Sequence, residues 1–547
     1  MLTRRGPGRL LLLALLVCVA AWGSSASAAT LIVDTTADEL TVNGHCSLRE
    51  AIRAANLDLP QDSCPAGSAL VRDFIDVPRG TYLLGLGPAG DDVGSRGDLD
   101  IFGSVAIVGA GPRTIIDGAG MDRLFDIHGG ATVGFAGITI RKGLASSGGG
   151  IQVGGSADLV LLRATIRSNT ADEGGGIAVL SSGEVLISES VIRHNTAPGS
   201  AGQGGGMLLS SGADVELVHS TVRGNTAVGN SAFAGGGISN FGTLDVLGTT
   251  IAGNTATNGG GGGIFSGGTA TLQQSTVSGN SAALDGGGLS SVSPLTVRDS
   301  TISGNMTESS GGGLFNNGGT LTVQNATIAE NTAIAGQGGG LANWNFAANA
   351  TVKNSILGGN TANAGAPDCY GPITSQSRNL IQNTTGCTGT SPVDIVGRNP
   401  RLGRLLFNGG HTRTHRILFR SRARNAGSGC RRRDQRGVPR PQGSRCDLGS
   451  YELAFCGRRV VNVVGSSGND RLVGTGKNDA ILGLGGRDRL VGRGGNDSLC
   501  GGAGNDVLLG GAGRDRLVGG AGRDRCSGGP RADDAAGCER TSSLRFG

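Results

Sequence analysis

Aromatic residues make up only 3% of the 547 residues, with 2 Trp and 3 Tyr. Any core must therefore be filled by aliphatic side chains. Charge is scarce as well, at 16% Asp, Glu, Lys and Arg and a net charge of +5. So small an excess argues against a general nucleic-acid binder. Long helices are excluded by 104 glycines, many of them in triplets. Beyond the N-terminal stretch, no apolar run is long enough to span a bilayer. No CxxC and no Cys/His cluster has zinc spacing. This balance fits a repetitive extracellular β protein better than a metabolic enzyme.

What is present is a repeat. One copy reads Thr165-Ile166-Arg167-Ser168-Asn169-Thr170-Ala171, a spacer, then Gly174-Gly175-Gly176-Ile177. The phrase returns at Thr221-Val222 with Asn225, Thr250-Ile251 with Asn254, Thr276-Val277 with Asn280 and Thr301-Ile302 with Asn305. Thr327-Ile328 with Asn331 and Ser355-Ile356 with Asn360 close the series. A period of about 25 to 30 residues is the range of stacked solenoid turns. Each period holds three short aliphatic runs broken by Gly, Ser and Asn, as in Ile177–Val179, Val185–Ile187 and Val191-Ile192. Such runs read as strands, each pairing in parallel with its counterpart about 4.8 Å above and below. Asn at the corner suits a left-handed backbone, and its amide can bond the Asn of the next coil.

At the N-terminus, Arg4, Arg5 and Arg9 precede the apolar run Leu10–Ala21 and the small residues Ala26-Ser27-Ala28. That is the layout of a secretory signal over 1–29, with export expected. Export suits the ten remaining cysteines, an even number in an oxidising compartment. Local pairing would join Cys46 to Cys64, Cys369 to Cys387 and Cys430 to Cys446. Cys456, Cys500, Cys526 and Cys538 stay unassigned. In Cys46–Asn56, residues Leu48, Ala51, Ile52 and Ala55 share one face of a short amphipathic helix with Ser47 near its N-cap. A stack of coils has an open apolar end that needs a lid. We read this helix as that lid.

The Cys46-Ser47-Leu48-Arg49-Glu50-Ala51 phrase resembles a motif that opens many secreted bacterial right-handed β-helix proteins. The Gly-Gly-Gly-[Ile/Leu/Met] and Thr-Ile-x-x-Asn phrases resemble repeats of polymorphic outer-membrane adhesins and other right-handed parallel β-helices, over roughly residues 105 to 400. The resemblance implies the fold far more than a function, since one fold hosts many activities. Further on, Gly409–Thr412, Asp434–Gly437, Arg440-Pro441 and Cys446–Glu452 resemble the closing segment of the same secreted family. Such segments commonly precede a surface anchor or sorting module. Arg420–Gly427 departs from the family pattern, where a Pro and an Asp are expected. The arginines here, Arg431–Arg433 included, read as a solvated basic face, with anionic glycan or lipopolysaccharide as the alternative partner. His411 and His415 read as surface residues.

From Gly465 to Gly529 the period becomes nine. Asp470, Asp479, Asp488, Asp497, Asp506, Asp515 and Asp524 follow one another without a miss. The best copies, Gly501–Leu508 and Gly510–Leu517, fit the nonapeptide G-G-x-G-x-D-x-U-x. The tract resembles the repeats-in-toxin, haemolysin-type calcium-binding family. The resemblance implies a parallel β-roll with two nonapeptides per turn, so aspartates eighteen apart stack in two columns. Stacked carboxylates repel unless a cation lies between them, and Ca2+ accepts both carboxylates and backbone carbonyls. The expected ligands are those seven aspartates with the carbonyls of Gly485, Gly494, Gly502, Gly504, Gly511, Gly513, Gly520 and Gly522. Leu472, Ile481, Leu490, Leu499, Leu508 and Leu517 should fill the thin core, coupling folding to metal. Lys477 before Asp479, Cys526 after Asp524 and Arg531 before Asp533 break the pattern, which puts the first and last sites in doubt.

The expected fold is all-β: a right-handed parallel β-helix with an N-terminal cap helix, then a small calcium-binding β-roll. The expected organisation is a signal (1–29), cap and irregular first coils (30–104), β-helix (105–400), closing segment (401–456), roll (457–529) and tail (530–547). Asp214 and Glu216 share a face near His219, but no partner coil completes an acid–base pair, so we read a solvated face and no catalytic residue. Exposed positions are mostly Ser, Thr, Asn and Gly. The expected protein is a secreted bacterial calcium-binding surface or adhesin-like monomer whose partner is a polysaccharide or cell-surface glycan, without nucleic acid. The alternative is a secreted polysaccharide lyase or glycoside hydrolase of β-helix type.

Overall fold

The computed structural model describes residues 28–86, 95–180, 182–344 and 349–542. The expected signal lies outside them except for Ala28 and Ala29. Two compact units are present: Met1–Val246 with Ile251–Ala270 and Gly279–Pro294, and Leu247–Thr250 with Thr271–Ser278 and Leu295–Gly547. Among the described residues, no helix is long and apolar enough to cross a membrane.

The first unit is a stack of parallel coils. One sheet runs through Asp73–Val77, Val105–Gly109, Thr132–Ala136, Asp158–Leu162, Glu184–Ser188 and Asp214–Val218. A second runs through Gly80–Leu83, Thr114–Asp117, Thr139–Arg141, Thr165–Arg167, Val191–Arg193 and Thr221–Arg223. A third includes Phe125–Ile127, Ile151–Val153, Ile177–Val179 and Met207–Leu209. Ile107, Val133, Leu159, Ile166 and Ile177 are fully buried, so aliphatic columns do fill the core. The helix α1 (Leu48–Leu57) caps the stack. Ser47 and Glu50 close a capping box, and Leu48, Ala51, Ile52, Ala54 and Ala55 are buried. Arg49 is buried as well, paired to Asp38 at 2.6 Å and donating to the Gly97 and Asp98 carbonyls.

Among the described residues, nine coils, from the one with Leu144–Ser147 to the one with Thr361–Ala362, carry a fourth strand that the three-run reading lacks. It is only two residues long in most coils, Thr196–Ala197 and Thr226–Ala227 for example. Two residues leave no periodicity to detect. The corner before it also differs from expectation. The left-handed residue is not Asn but the one preceding it: Ser168, His194, Gly224 and Gly253 have φ of 55°, 52°, 61° and 61°. The Asn itself turns inward. Asn195 Nδ2 donates to Asn225 Oδ1 (3.0 Å), and Asn225 Nδ2 to Asn254 Oδ1 (2.9 Å), an unbroken buried amide ladder. The glycine triplets make room for it. A Cβ on Gly176 would lie 2.7 Å from the Gly206 carbonyl and 2.9 Å from Asn195 Nδ2.

The second unit repeats this plan from Leu295–Arg298 to Ile395–Val396, with Asn305, Asn331 and Asn360 continuing an amide ladder onto Asp368. Its closing segment folds back on the coils. Gln435 Nε2 donates to Thr276 Oγ1 (2.9 Å) while its Oε1 accepts from Thr301 (2.7 Å), and Ser450 bonds Thr327. The reading of His415 as a surface residue is overturned: it is fully buried, with Nε2 2.7 Å from Ser303 Oγ and Nδ1 2.8 Å from the Gly403 carbonyl. His411 is exposed, as expected. Nor is the arginine cluster one solvated face. Arg436 is buried between Asp434 (2.7 Å) and the Tyr451 ring, Arg440 lies against Glu452, and Arg431 pairs with Asp299 at 2.7 Å. Arg432 and Arg433 remain exposed.

All three locally expected disulfides are present: Cys46–Cys64, Cys369–Cys387 and Cys430–Cys446. The other four cysteines form Cys456–Cys500 and Cys526–Cys538. The first ties the strand before the nonapeptides to their third turn, and the second staples their end.

Candidate metal centre

The nonapeptide tract folds as two five-stranded parallel sheets. Ala480–Gly485, Ser498–Ala503 and Arg516–Ala521 lie in one, and Arg489–Gly494 and Val507–Ala512 in the other. Each nonapeptide supplies one strand, so its single aliphatic points inward. Ile481, Leu490, Leu499, Leu508, Leu517 and Cys526 form the core, with Leu472 packed against it.

The turns carry the aspartates in two columns. Asp488 Oδ1 accepts from the Asp470 backbone N–H, Asp506 Oδ1 from Asp488 and Asp524 Oδ1 from Asp506, each at 2.8 Å. The other column repeats this through Asp479, Asp497, Asp515 and Asp533, at 2.7 to 2.8 Å. One oxygen of each carboxylate is thus spent on the turn before it. The other is not: Oδ2 of Asp488, Asp497, Asp506, Asp515, Asp524 and Asp533 is buried without a hydrogen-bond partner. A buried carboxylate oxygen in that state is costly unless a cation or proton meets it.

Glycine five residues earlier makes the cradle. A Cβ on Gly501 would sit 2.4 Å from Asp506 Oδ2, and one on Gly510 2.4 Å from Asp515 Oδ2. The donor set is therefore hard oxygen throughout, with space beside it that a side chain would fill, which fits Ca2+. Gly510→Ala is expected to destabilise the calcium-loaded roll by about 1–3 kcal/mol through overpacking. Gly476→Ala, where a Cβ meets nothing within 4 Å, should be close to neutral. Equal calcium-dependent unfolding midpoints for the two variants would contradict this.

The first rung of each column differs. Asp470 Oδ2 accepts from the N–H and hydroxyl of Ser466, and Asp479 Oδ2 from those of Thr475. Burial works against the charged form of Asp479, but the bonds from Thr475 and Asn462 win and hold it below the usual carboxylate range. Without such donors, burial pushes Asp488 and Asp497 up to about 6, helped by the carboxylates stacked above and below. Asp506 and Asp515 are raised for the same reasons.

The glycines named as carbonyl donors divide into two sets. Gly502, Gly504, Gly511, Gly513, Gly520 and Gly522 are left-handed, with φ from 106° to 142°. In the two earlier turns the left-handed residues are Leu484 with Gly486 and Arg493 with Gly495, so Gly485 and Gly494 sit one place out of phase with the rest. Positions two and four of the nonapeptide bend the turn, whichever residue fills them.

Residues 464–499 and 501–533 match the family described as RTX calcium-binding nonapeptide repeat (4 copies). Residues 123–246 match the right-handed β-helix region. The chain is a right-handed β-helix protein with C-terminal RTX repeats. No curated protein matches the chain. Among solved structures, it is similar to pectate lyase Pel9A, at 14% identity over 72% of this chain and 93% of that one, TM-score 0.38. The A-modules of two Azotobacter vinelandii mannuronan C-5 epimerases are also similar. For AlgE6 the identity is 15% over 60% of this chain and 90% of that one, TM-score 0.38; for AlgE4 it is 18% over 66% and 98%, TM-score 0.31. Likeness at this level bears on neither substrate nor activity.

Beside the RTX turns, two other sites bear on the sequence reading. Asp214 and Glu216 do share an outward face, half-buried and in register with Glu184 and Leu186, with His219 exposed at the following corner. A cluster in the early coils of the β-helix went unread. His128 Nε2 is 2.7 Å from Asp100 Oδ1 and 3.8 Å from Asp126 Oδ2. Arg123 bonds Asp98 (3.1 Å) and Asp126, and Gln152 donates to Asp126 (3.1 Å). The signal was there in the matched phrases Leu99-Asp100-Ile101 and Phe125-Asp126-Ile127, whose strands pair in register. These contacts knit a largely buried polar network. In the RTX columns, Asp533 was the missed member. It stands nine after Asp524, but Arg531 in the glycine position argued against it.

Proposed function

We propose that this is an extracellular calcium-binding, adhesin-like protein in which the RTX roll is a calcium-stabilised module and the β-helix presents a glycan- or surface-binding face. The observation that carries the calcium part is the row of six buried Oδ2 atoms without partners. Asp488, Asp497, Asp506, Asp515, Asp524 and Asp533 would hold the ions, with backbone carbonyls of the glycine turns completing their shells. Asp470 and Asp479, capped by Ser466 and Thr475, would contribute least. Bound calcium neutralises the columns; the chain's own residues supply the spacing, the glycine cradles and the aliphatic core that align them.

Five disulfides and RTX repeats fit an extracellular setting. The binding role is supported by stacked sheet faces whose outward positions include Thr165, Thr196, Thr221 and Thr226, stiffened from within by buried amide ladders. Calorimetric calcium titration of the full chain tests the first part. Asp506→Asn with Asp515→Asn should remove heat from the titration, and an unchanged isotherm would refute the ligand assignment. A glycan array read with and without chelator tests the second part. Unsaturated products released from polyuronates would instead identify a lyase.

A further inference from the structure

The second sheet of the first unit carries a row of like charges. Arg141, Arg167, Arg193 and Arg223 occupy the same strand position in four successive coils, in direct register. Neighbouring strands lie about 4.8 Å apart, so four guanidinium groups follow one line at that spacing. The residues before them, Ile140, Ile166, Ile192 and Val222, are buried, which turns the arginines outward. Arg141, Arg167 and Arg193 are half-buried and Arg223 is exposed. Asp117, in register below Arg141, bonds its Nε at 2.7 Å. Among the described residues, Arg167, Arg193 and Arg223 pair with no carboxylate.

The fold does not require this. Like charges directly opposite one another on adjacent strands are destabilising, and the aliphatic neighbours already supply the core. The next coil has Ala252 at this position. In the second unit the position holds Ser278, Ser303 and Ala329, where the closing segment covers Ser303 through His415. The row is also unfavourable locally: burial, then Arg141 and Arg193, depresses the Arg167 guanidinium, with Asp117 offsetting only part of it, and burial with the same column keeps His194 low and so neutral. A row that costs stability and lies open invites an external anion.

We propose that the arginine column is a track for a linear acidic polysaccharide of uronate type, with successive sugar carboxylates meeting successive guanidinium groups. This rests on the reading of the β-helix as a glycan-binding face, and names its ligand class. A polyuronate carries one carboxylate per sugar, a line of negative charge to set against the line of guanidinium groups. Arg holds carboxylates in a planar fork, often through two bonds. Thr165 and Thr221, half-buried on the same strands, offer hydroxyls to the sugar. A single-stranded nucleic acid would need aromatic platforms for its bases, which these strands lack.

The test uses the full chain with calcium present and short oligogalacturonates, which do not gel. Wild type should bind, more weakly as salt rises. Arg167→Gln with Arg193→Gln should bind roughly tenfold more weakly, with an unchanged or raised unfolding midpoint. Arg167→Lys with Arg193→Lys should recover part of the loss. Absence of wild-type binding at low salt, equal affinity in the Gln variant, or tighter binding to a single-stranded oligonucleotide would each overturn the proposal. If the glycan array shows retention of neutral glycans that the Gln variant keeps, the track falls and the surface-binding reading stands. If no glycan is retained at all, both fall.

Discussion

Removing calcium at neutral pH is expected to unravel the RTX roll and leave the β-helix coils folded. Two carboxylates one strand spacing apart repel by about 1 kcal/mol in bulk water and about 3 kcal/mol at an effective dielectric of 20. Asp488, Asp506 and Asp524 form one such column and Asp497, Asp515 and Asp533 the other, each oxygen buried. Against this stand six core side chains, Ile481 to Cys526, worth roughly 1.5–3 kcal/mol each before chain entropy is subtracted. That core does not carry the columns unaided. Hydrogen exchange of the full chain should therefore show protection across Ala480–Ala521 lost in chelator, with the coils from Asp158 to Asn240 unaltered. Protection retained in chelator would sink the idea.

Acid should replace part of the calcium. In the metal-free roll Asp488 and Asp497 are pushed up to about 6, above their ordinary value of 3.8. Between those values the folded roll holds more protons than the unfolded chain, so stability falls as pH rises. The contribution is fully present below about 3.8 and is lost as pH passes about 6. In chelator, then, the roll should be more protected at pH 4.5 than at 7.5. With calcium, which competes with those protons, the dependence should flatten or reverse.

What the sequence made legible was whatever recurs. The aliphatic columns, the amide ladder from Asn169 to Asn280, the two aspartate columns and the cap helix all follow from residues at a fixed spacing, and spacing survives without coordinates. Contacts without a period did not show. Gln435 bonds Ser275, 160 positions earlier, and nothing local in either segment announces it. His415 and Arg436 were misread for that reason: charge and polarity pointed to the surface, while Ser303 for His415 and the Tyr451 ring for Arg436 came from elsewhere in the chain. Cys456–Cys500 is hidden the same way, because pairing by proximity in sequence fails once the chain leaves one module for the next. The arginine column was legible throughout, since Arg follows a Thr-Ile, Val-Ile or Thr-Val pair in adjacent copies; what the sequence withheld was that the position faces out.

Asn225→Ala is expected to destabilise the first unit by several kcal/mol, far more than a surface change of the same size. Asn225 sits mid-ladder with every polar atom engaged. Its Oδ1 accepts from the Asn195 backbone N–H and from Asn195 Nδ2, both at 3.0 Å. Its Nδ2 donates to Asn254 Oδ1 (2.9 Å) and to the Ile192 carbonyl (3.1 Å). Alanine leaves two donors on Asn195 facing no acceptor, in a place that water does not reach. Each buried orphan costs about 1–3 kcal/mol. A Cβ cannot refill the gap, because the glycines pressed around the ladder have no side chains to move in. Asp at this position separates the terms: it restores the acceptor for Asn195 but not the donor to Asn254, and adds a buried charge. The order of unfolding midpoints should be wild type well above both variants, with Thr221→Ala, half-exposed on the neighbouring strand, close to wild type. If Asn225→Ala and Thr221→Ala shift the midpoint equally, the amide ladder is decoration on the coils rather than what stiffens their corners.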